Sequence, residues 1–487
     1  MHAPPAEPPA ELPEGEETRH RFRPGAVAIV AVAAAAVGLA PLPLPLAAHR
    51  TLVILVVAGG LWVTEALPLA VTALMIPVLG ITLGVADAKA AFAGFGDPIV
   101  FLFFGTFLHT EASHQHGLND RLARGVLGSR WVAARPARLL WAVAMVGCGI
   151  SAWVNNTATT AMLIPLALSA RGLGAPRLAS GTLLMSSYAA SLGGLATPVG
   201  TAPNLIGLRL LEQATGARPS FAHWCALFAP LAIAGTALSA AWLSFRARGS
   251  SRPGAPSTPR ASAAVPWSRA ERTLMPLFVG VVLLWITPGV LAATPLGAAA
   301  WVKAWQVRLP EPAVPLVGAL LLFMLPASDR GPERILDVSV LRRVDWGTLL
   351  LFGGGLSLGA MMFESGLARA LGEAIFRAMP VSGTFGIVLA ATLMAVLVSE
   401  LTSNTASASL VVPVVLALAH AAGVDPVKPA LAATVGCSFG NMLPVSTPPN
   451  ALVYATGRVT IREMMVNGFL LDVVGTLMVA AWVTLVG

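Results

Sequence analysis

The stretch that decides the fold is residues 139–170, LLWAVAMVGCGISAWVNNTATTAMLIPLALSA. It holds no charged residue, and as one helix its 32 residues would run about 48 Å, against roughly 30 Å of bilayer hydrocarbon. At its middle stand Asn155, Asn156 and Thr157. A second apolar segment, 382–421, carries Ser403, Asn404 and Thr405 at its middle. Two half-helices meeting at a polar tip account for both the length and the cluster. Such a re-entrant hairpin is tolerated only where its tip faces protein or a water-filled cavity.

The rest of the chain fits a membrane setting. Of its 487 residues, 56% are hydrophobic and 11% charged, with a mean hydropathy of +0.76. A soluble protein would carry about a quarter charged residues. The 47 glycines and 38 prolines interrupt long apolar runs, as in membrane helices. Cys148, Cys225 and Cys437 each lie inside an apolar run and form neither a disulfide framework nor a paired metal spacing. Hydropathy predicts eleven spans, near 26–47, 51–67, 69–85, 98–112, 179–213, 224–245, 274–297, 312–327, 346–365, 427–456 and 465–486. Residues 1–24, rich in proline and glutamate, read as a disordered tail, with no apolar core for a cleavable signal.

Charge placement tests this count. The net charge of +8 suits nucleic acid, an anionic membrane surface, or the rule that cytoplasmic loops are positive. Basic residues gather in the tail, in 121–138, in 246–272 and in 330–343. If both polar-centred segments are hairpins, these loops follow spans zero, four, six and eight and share one side. That side is the cytoplasm, which puts the N-terminus inside, the C-terminus outside and the protein in the plasma (inner) membrane. The basic balance then describes topology, and no nucleic-acid partner is expected.

The chain also resembles itself. Phe104-Gly105, Gly117-Leu118, Asn156-Thr157 and Gly200-Thr201 with Pro203-Asn204 recur as Phe352-Gly353, Gly366-Leu367, Asn404-Thr405 and Ser446-Thr447 with Pro449-Asn450, at offsets of 248, 249, 248 and 246. On the span count the first hairpin enters from the cytoplasm and the second from outside, so the repeats have inverted topology, the pattern of secondary transporters. The expected organisation is an all-α membrane protein: tail 1–24; scaffold helices 25–95; first repeat 96–245 with hairpin 139–170; basic loop 246–272; scaffold helices 273–343; second repeat 344–487 with hairpin 382–421.

Four stretches converge in this scheme: the two tips, Thr197-Pro198-Val199-Gly200-Thr201-Ala202-Pro203-Asn204, and Ser446-Thr447-Pro448-Pro449-Asn450. Proline and glycine so placed break helices and leave carbonyls and helix N-termini free at membrane depth. Free carbonyls with Ser, Thr and Asn oxygens suit Na⁺; free N-termini with amide and hydroxyl donors suit a carboxylate. Segments 139–170, 178–208 and 429–457 contain no Arg, Lys, Asp or Glu. An anion there is held without a basic side chain, so cation coupling is expected.

The residues around these breaks resemble a known family. Ser151-Ala152-Trp153-Val154-Asn155-Asn156-Thr157-Ala158-Thr159-Thr160, Glu400-Leu401-Thr402-Ser403-Asn404-Thr405-Ala406-Ser407 and Leu443-Pro444-Val445-Ser446-Thr447-Pro448-Pro449-Asn450 look like the signature motifs of the divalent anion/sodium symporters. Thr64-Glu65-Ala66-Leu67-Pro68, with Trp62 upstream, looks like that family's early motif, and the similarity covers roughly residues 50–487. The resemblance implies an eleven-helix homodimer in membrane lipid, with a scaffold and a mobile transport domain. It would carry C4-dicarboxylates inward with several Na⁺ by an elevator motion, using no organic cofactor.

Carried over by residue, the resemblance puts a first sodium at Ser151, Asn155, Asn156 and Gly200, and a second at Ser399, Thr402, Asn404 and Ser446. Substrate carboxylates would meet Asn156, Thr157, Ser403, Asn404 and Thr405, with Thr201, Thr447 and Pro448 nearby. Asn155, where the family usually has Ser, and Ala202, opposite Pro448, depart from the pattern. The second tip resembles bacterial dicarboxylate carriers more than sulfate carriers. A dicarboxylate exchanger, a proton-coupled carrier, or sulfate or citrate as substrate are the alternatives on the same scaffold.

Other residues have plainer readings. His109, Glu111, His114 and His116 bunch together, but their spacing is not that of a metalloprotease and reads as a solvated helix end. Glu65, Glu364 and Glu400 are intramembrane carboxylates by position. For Glu400, proton coupling competes with hydrogen bonding inside its hairpin. A paired-Asp motif and a zinc motif are missing, so no enzyme is expected.

Overall fold

The computed structural model describes residues 22–133, 137–169, 176–248, 266–328, 331–378 and 381–487. The tail to residue 21, Arg135, Ala170, residues 249–265 of the basic loop and Arg330 lie outside these. Among the described residues the regular secondary structure is helical, apart from an isolated bridge between Pro326 and Arg334.

Four helices lead: α1 (Pro24–Leu39), α2 (Leu46–Thr64), α3 (Leu69–Thr82) and α4 (Ala88–Phe92). A first series follows, with α5 (Pro98–Gln115), α6 (Leu118–Leu127), α7 (Arg130–Ala133), α8 (Ala137–Ser151), α9 (Asn156–Ser169), α10 (Pro176–Gly193), α11 (Ala202–Thr215) and α12 (Phe221–Arg246). Three helices intervene: α13 (Arg269–Ala292), α14 (Ala300–Arg308) and α15 (Ala313–Met324). The second series is α16 (Trp346–Glu364), α17 (Leu367–Ala378), α18 (Gly383–Leu401), α19 (Asn404–Ala421), α20 (Val427–Gly436), α21 (Pro448–Ala455) and α22 (Ile461–Val486).

The second series repeats the first in order. A long helix (α5, α16) leads to a short amphipathic one (α6, α17), a folded-back pair (α8–α9, α18–α19), a broken pair (α10–α11, α20–α21) and a 26-residue closing helix (α12, α22). Gly117 and Gly366 turn the chain into α6 and α17 at φ of 68° and 79°, a conformation that strains any residue with a Cβ.

The breaks fall at the polar clusters. α9 begins at Asn156 and α19 at Asn404, and each packs on the helix before it. Asn155 Oδ1 accepts from the Ala158 amide at 2.7 Å, and Ser403 Oγ from the Ala406 amide at 3.3 Å. Both are N-caps, a position where Asn and Ser serve equally well, which accounts for the departure at Asn155. The spans expected at 179–213 and 427–456 are each two helices separated by irregular backbone. Pro203, Pro448 and Pro449 sit in the first turns of α11 and α21, where no amide is needed within the helix.

The two series interlock. α11 packs on α19 and α20, and α21 on α9 and α10. One apolar cluster draws on both series, while a second joins α2 and α3 to α16, α17 and α19. Among the described residues eight helical stretches are long and apolar enough to cross a membrane, or nine if α14–α15, bent by 64°, is one span. α18 and α19 each meet that length, whereas α8 and α9 are shorter. The chain is an integral membrane protein.

Candidate substrate and cation site

Each break is closed by the same device. Asn204 donates through Nδ2 to the Gly194 and Thr197 carbonyls, both at 2.9 Å, and Asn450 to the Gly440 and Leu443 carbonyls at 2.8 and 3.1 Å. Donor and acceptors are all displaced by 246 residues. The amide thus satisfies carbonyls that the broken helix leaves without an intrahelical donor, which in a bilayer would otherwise cost several kcal/mol each.

Two clusters of oxygens form on this framework. In the first, Ser151 Oγ donates to Asn156 Oδ1 at 2.7 Å. A Cβ built on Gly194 would stand 2.7 Å from Asn156 Oδ1 and 3.2 Å from both the Gly200 carbonyl and Thr201, so only glycine fits. Ser151, Asn156, Gly200 and Thr201 therefore meet. In the second, Ser399 Oγ lies 2.8 Å from Asn404 Oδ1 and 2.6 Å from the Cys437 carbonyl. A Cβ on Gly440 would stand 2.9 Å from the Ser399 carbonyl and 3.2 Å from Ser446. Ser399, Asn404 and Ser446 are thereby brought together, and Thr402 follows one residue after α18 ends.

The clusters differ in depth from the tips. Ser151, Gly200, Ser399, Thr402 and Ser446 are buried, whereas Asn156, Thr157, Ser403, Asn404 and Thr405 are half-buried. Thr201 and Thr447 are buried and Pro448 is exposed. Thr402 Oγ1 is 2% exposed by residue and has no hydrogen-bond partner. A buried hydroxyl without a partner fits a ligand to a hard cation. Asn155 is the weakest member of its set, because its Oδ1 is engaged in capping α9.

The arginines of this region pair with acids away from the clusters. Arg209 on α11 pairs with Asp97 at 2.6 Å and Glu212 at 3.0 Å, and Arg218 reaches Glu311 at 3.1 Å. Glu400 does not bond within its own hairpin. It accepts from the Met442 amide at 2.8 Å and from Ser446 Oγ at 2.9 Å, tying the hairpin to the loop between α20 and α21. Glu364 is exposed, and Glu65 takes a left-handed conformation (φ 45°) at the end of α2.

The histidine group is only partly a solvated end. His114 is exposed, but His109 is buried with Nε2 3.1 Å from the Pro315 carbonyl, and His116 Nε2 lies 2.9 Å from the Ile335 carbonyl. Glu111 pairs with Arg343 at 3.1 Å. These divergent partners leave no common centre, and no metal-holding group occurs among the described residues.

Several residues at the site were not singled out from the sequence. Asn204 and Asn450 stand in the repeated motif, and their shared offset was the available signal. The Cys437 carbonyl carries no side-chain signal. Asp472, which accepts from Asn441, showed itself only as a lone acid in an apolar span.

Comparison with known proteins decides the family. A family model described as citrate transporter matches residues 59–436 and, separately, 309–486. The sodium-dependent dicarboxylate transporter SdcS of Staphylococcus saprophyticus is 30% identical over 431 residues, 84% of this chain and 80% of that one. The chain belongs to the divalent anion/sodium symporter family. The corresponding transporter of Staphylococcus aureus is 29% identical over 441 residues, 86% of this chain and 82% of that one. Two solved structures share the fold. The Alcanivorax borkumensis YdaH transporter aligns with a TM-score of 0.57 at 18% identity, covering 90% of this symporter-family chain and 99% of that one. Neisseria gonorrhoeae MtrF, of a class of antimetabolite efflux pumps, aligns at 0.56 and 15% identity, covering 95% and 94%. This family member is a secondary transporter.

Proposed function

We propose that this transporter carries C4-dicarboxylates such as succinate, fumarate and malate into the cell together with Na⁺. The observation that carries the reading is the pair of buried oxygen clusters beneath half-exposed amide and hydroxyl tips, with no basic side chain in the segments that form them. Two sodium ions at Ser151–Asn155–Asn156–Gly200 and Ser399–Thr402–Asn404–Ser446 supply the positive charge that a dianion needs. Asn156, Thr157, Ser403, Asn404 and Thr405 then meet its carboxylates, with Thr201, Thr447 and Pro448 at the rim. The sodium dependence in the names of the staphylococcal relatives supports the coupling ion.

The transport mechanism follows from the repeat. α8–α9 and α18–α19 act as re-entrant hairpins entering from opposite faces, within eleven crossings. They move as an elevator-type transport domain against a scaffold of residues 25–95 and 273–343 in a homodimer, with the N-terminus in the cytoplasm and the C-terminus outside.

The test is uptake of labelled succinate into proteoliposomes, with citrate and sulfate as competitors. Uptake is expected to require an inward Na⁺ gradient and to fall at least about a hundredfold in Asn404→Ala, which removes two contacts to charged groups. Equal uptake in K⁺ buffer would overturn the coupling. A requirement for internal dicarboxylate would establish exchange.

A further inference from the structure

A cleft of about 430 Å³ opens where α5, α6, α8 and α13 meet. An apolar cavity of about 150 Å³ is already enough to hold benzene. The lining of the cleft has no Arg, Lys, Asp or Glu, and none of the residues assigned above to Na⁺ or substrate belongs to it. α8 contributes Val146, Gly149 and Ile150, and α13 contributes Met275, Phe278 and Trp285. A Cβ built on Gly149 would meet nothing within 4 Å, so the α8 wall faces open space. The polar members come from α5 and α6. Two of them are already bonded, Thr106 to the Leu102 carbonyl and His109 to the Pro315 carbonyl. Ser113, 5% exposed, and Asn119 make no side-chain hydrogen bond among the described residues.

The two ends of the cleft differ. Along α13 the lining runs from Met275 to Trp285, about 15 Å at 1.5 Å per residue, which is half of the roughly 30 Å of hydrocarbon and so the depth of one leaflet. Met275 stands three residues past the charged first turn of α13, and Ser113 and Asn119 mark the same end, where α5 gives way to α6. Arg121 there is paired with Glu271, and the exposed Arg124 and Arg272 against Asp120 leave this end positive. At the far end Trp153 meets Phe278 edge-on at 5.8 Å, and Phe221 stacks on Trp285 at 4.9 Å. The side of the cleft is flanked by exposed apolar residues of its lining, Leu122, Val126, Met145 and Val279. On an integral membrane protein the medium that meets them is lipid hydrocarbon. A charge-free slot one leaflet deep, with hydrogen-bond donors at its surface end and rings at mid-bilayer, matches an acyl chain ending in an ester.

We propose that this cleft holds one acyl chain of a membrane phospholipid, its ester carbonyl accepting from Ser113 or Asn119 and its methyl end resting on Trp153 and Phe278. The positive charge at the surface end faces the lipid phosphate. Through Trp153, two residues before Asn155, the bound chain bears on the break of the first hairpin. The site stands whatever the transporter carries.

Photolabelling of the purified full-length protein in proteoliposomes tests this. The probe is a phosphatidylglycerol whose acyl chain carries a diazirine near its methyl end, and adducts are located by mass spectrometry of peptides. The wild type is expected to carry adducts on Phe278 and on Trp285, which at 3% exposure is out of reach of lipid that only surrounds the protein. Gly149→Phe, which projects a ring into the slot, and Val279→Trp, which narrows its mouth, are each expected to reduce those adducts about tenfold, as the loss of about two buried methylenes of contact would. Adducts on Leu477, an exposed residue of α22, are expected to stay unchanged and to report that both variants are folded and inserted. A wild type labelled at Leu477 but not at Phe278 or Trp285 overturns the proposal, and so do adducts there that persist in both variants. Disulfide cross-linking of two copies through Met145→Cys would seat a second copy at the mouth and overturns it as well.

Discussion

The two hairpin tips use one backbone device with different electrostatics. Ser151–Asn156 and Ser399–Asn404 make the same contact at 2.7 and 2.8 Å, and Asn204 and Asn450 brace the facing breaks in the same way. Yet the second tip carries Glu400 where the first has Ala152, whose carbonyl accepts from Thr197 Oγ1. On the proposed reading, the first site would attract a cation with carbonyl, amide and hydroxyl dipoles alone. At the second, the Glu400 carboxyl would stand beside the proposed ligands. Symmetry in the fold therefore need not mean equal ion affinity.

Glu400→Gln probes that difference most strongly. It is expected to raise the Na⁺ concentration for half-maximal succinate uptake about tenfold, from the loss of one nearby charge. Ala152→Ser, a change at the equivalent place in the first repeat, is expected to shift it far less. Equal shifts would dissolve the distinction between the tips.

The braces offer a smaller contrast. Asn450 Oδ1 accepts from Ser187 Oγ at 2.5 Å, whereas Asn204 Oδ1 is buried without a partner. The position equivalent to Ser187 in the second repeat is Ala433, which has no donor to offer. At about 1 kcal/mol per hydrogen bond, Asn450→Ala should lower stability by about 1 kcal/mol more than Asn204→Ala. Thermal unfolding in detergent measures this, and an equal loss would remove the asymmetry. Ala433→Ser should supply the missing donor and raise stability by up to about 1 kcal/mol. No gain there would show that Asn204 Oδ1 is not within reach.

Much of this arrangement was legible in the sequence, because it rests on local chemistry repeated at a fixed offset. An uncharged 32-residue run with Asn155-Asn156-Thr157 at its centre breaks where the amide clusters, and the break recurs at Asn404. Pro203, Pro448 and Pro449 mark helix starts for the reason that proline lacks an amide hydrogen. Contacts between distant elements were not legible. Asp472 lies 31 residues beyond Asn441, whose side-chain amide it accepts from, on a helix whose apolar pattern says only that it is buried or lipid-facing. His109 looked like one of a solvated group, but it finds the Pro315 carbonyl more than 200 residues away. Hydropathy also cannot tell a re-entrant hairpin from two crossings when α18 and α19 are each of spanning length.

Simultaneous measurement of labelled sodium and labelled succinate fluxes into proteoliposomes tests the central claim most directly. If two cation sites flank one dianion site, as proposed, more than one Na⁺ enters with each succinate. Asn156→Ala and Asn404→Ala should abolish both fluxes together. Succinate entry without accompanying Na⁺ would contradict the account.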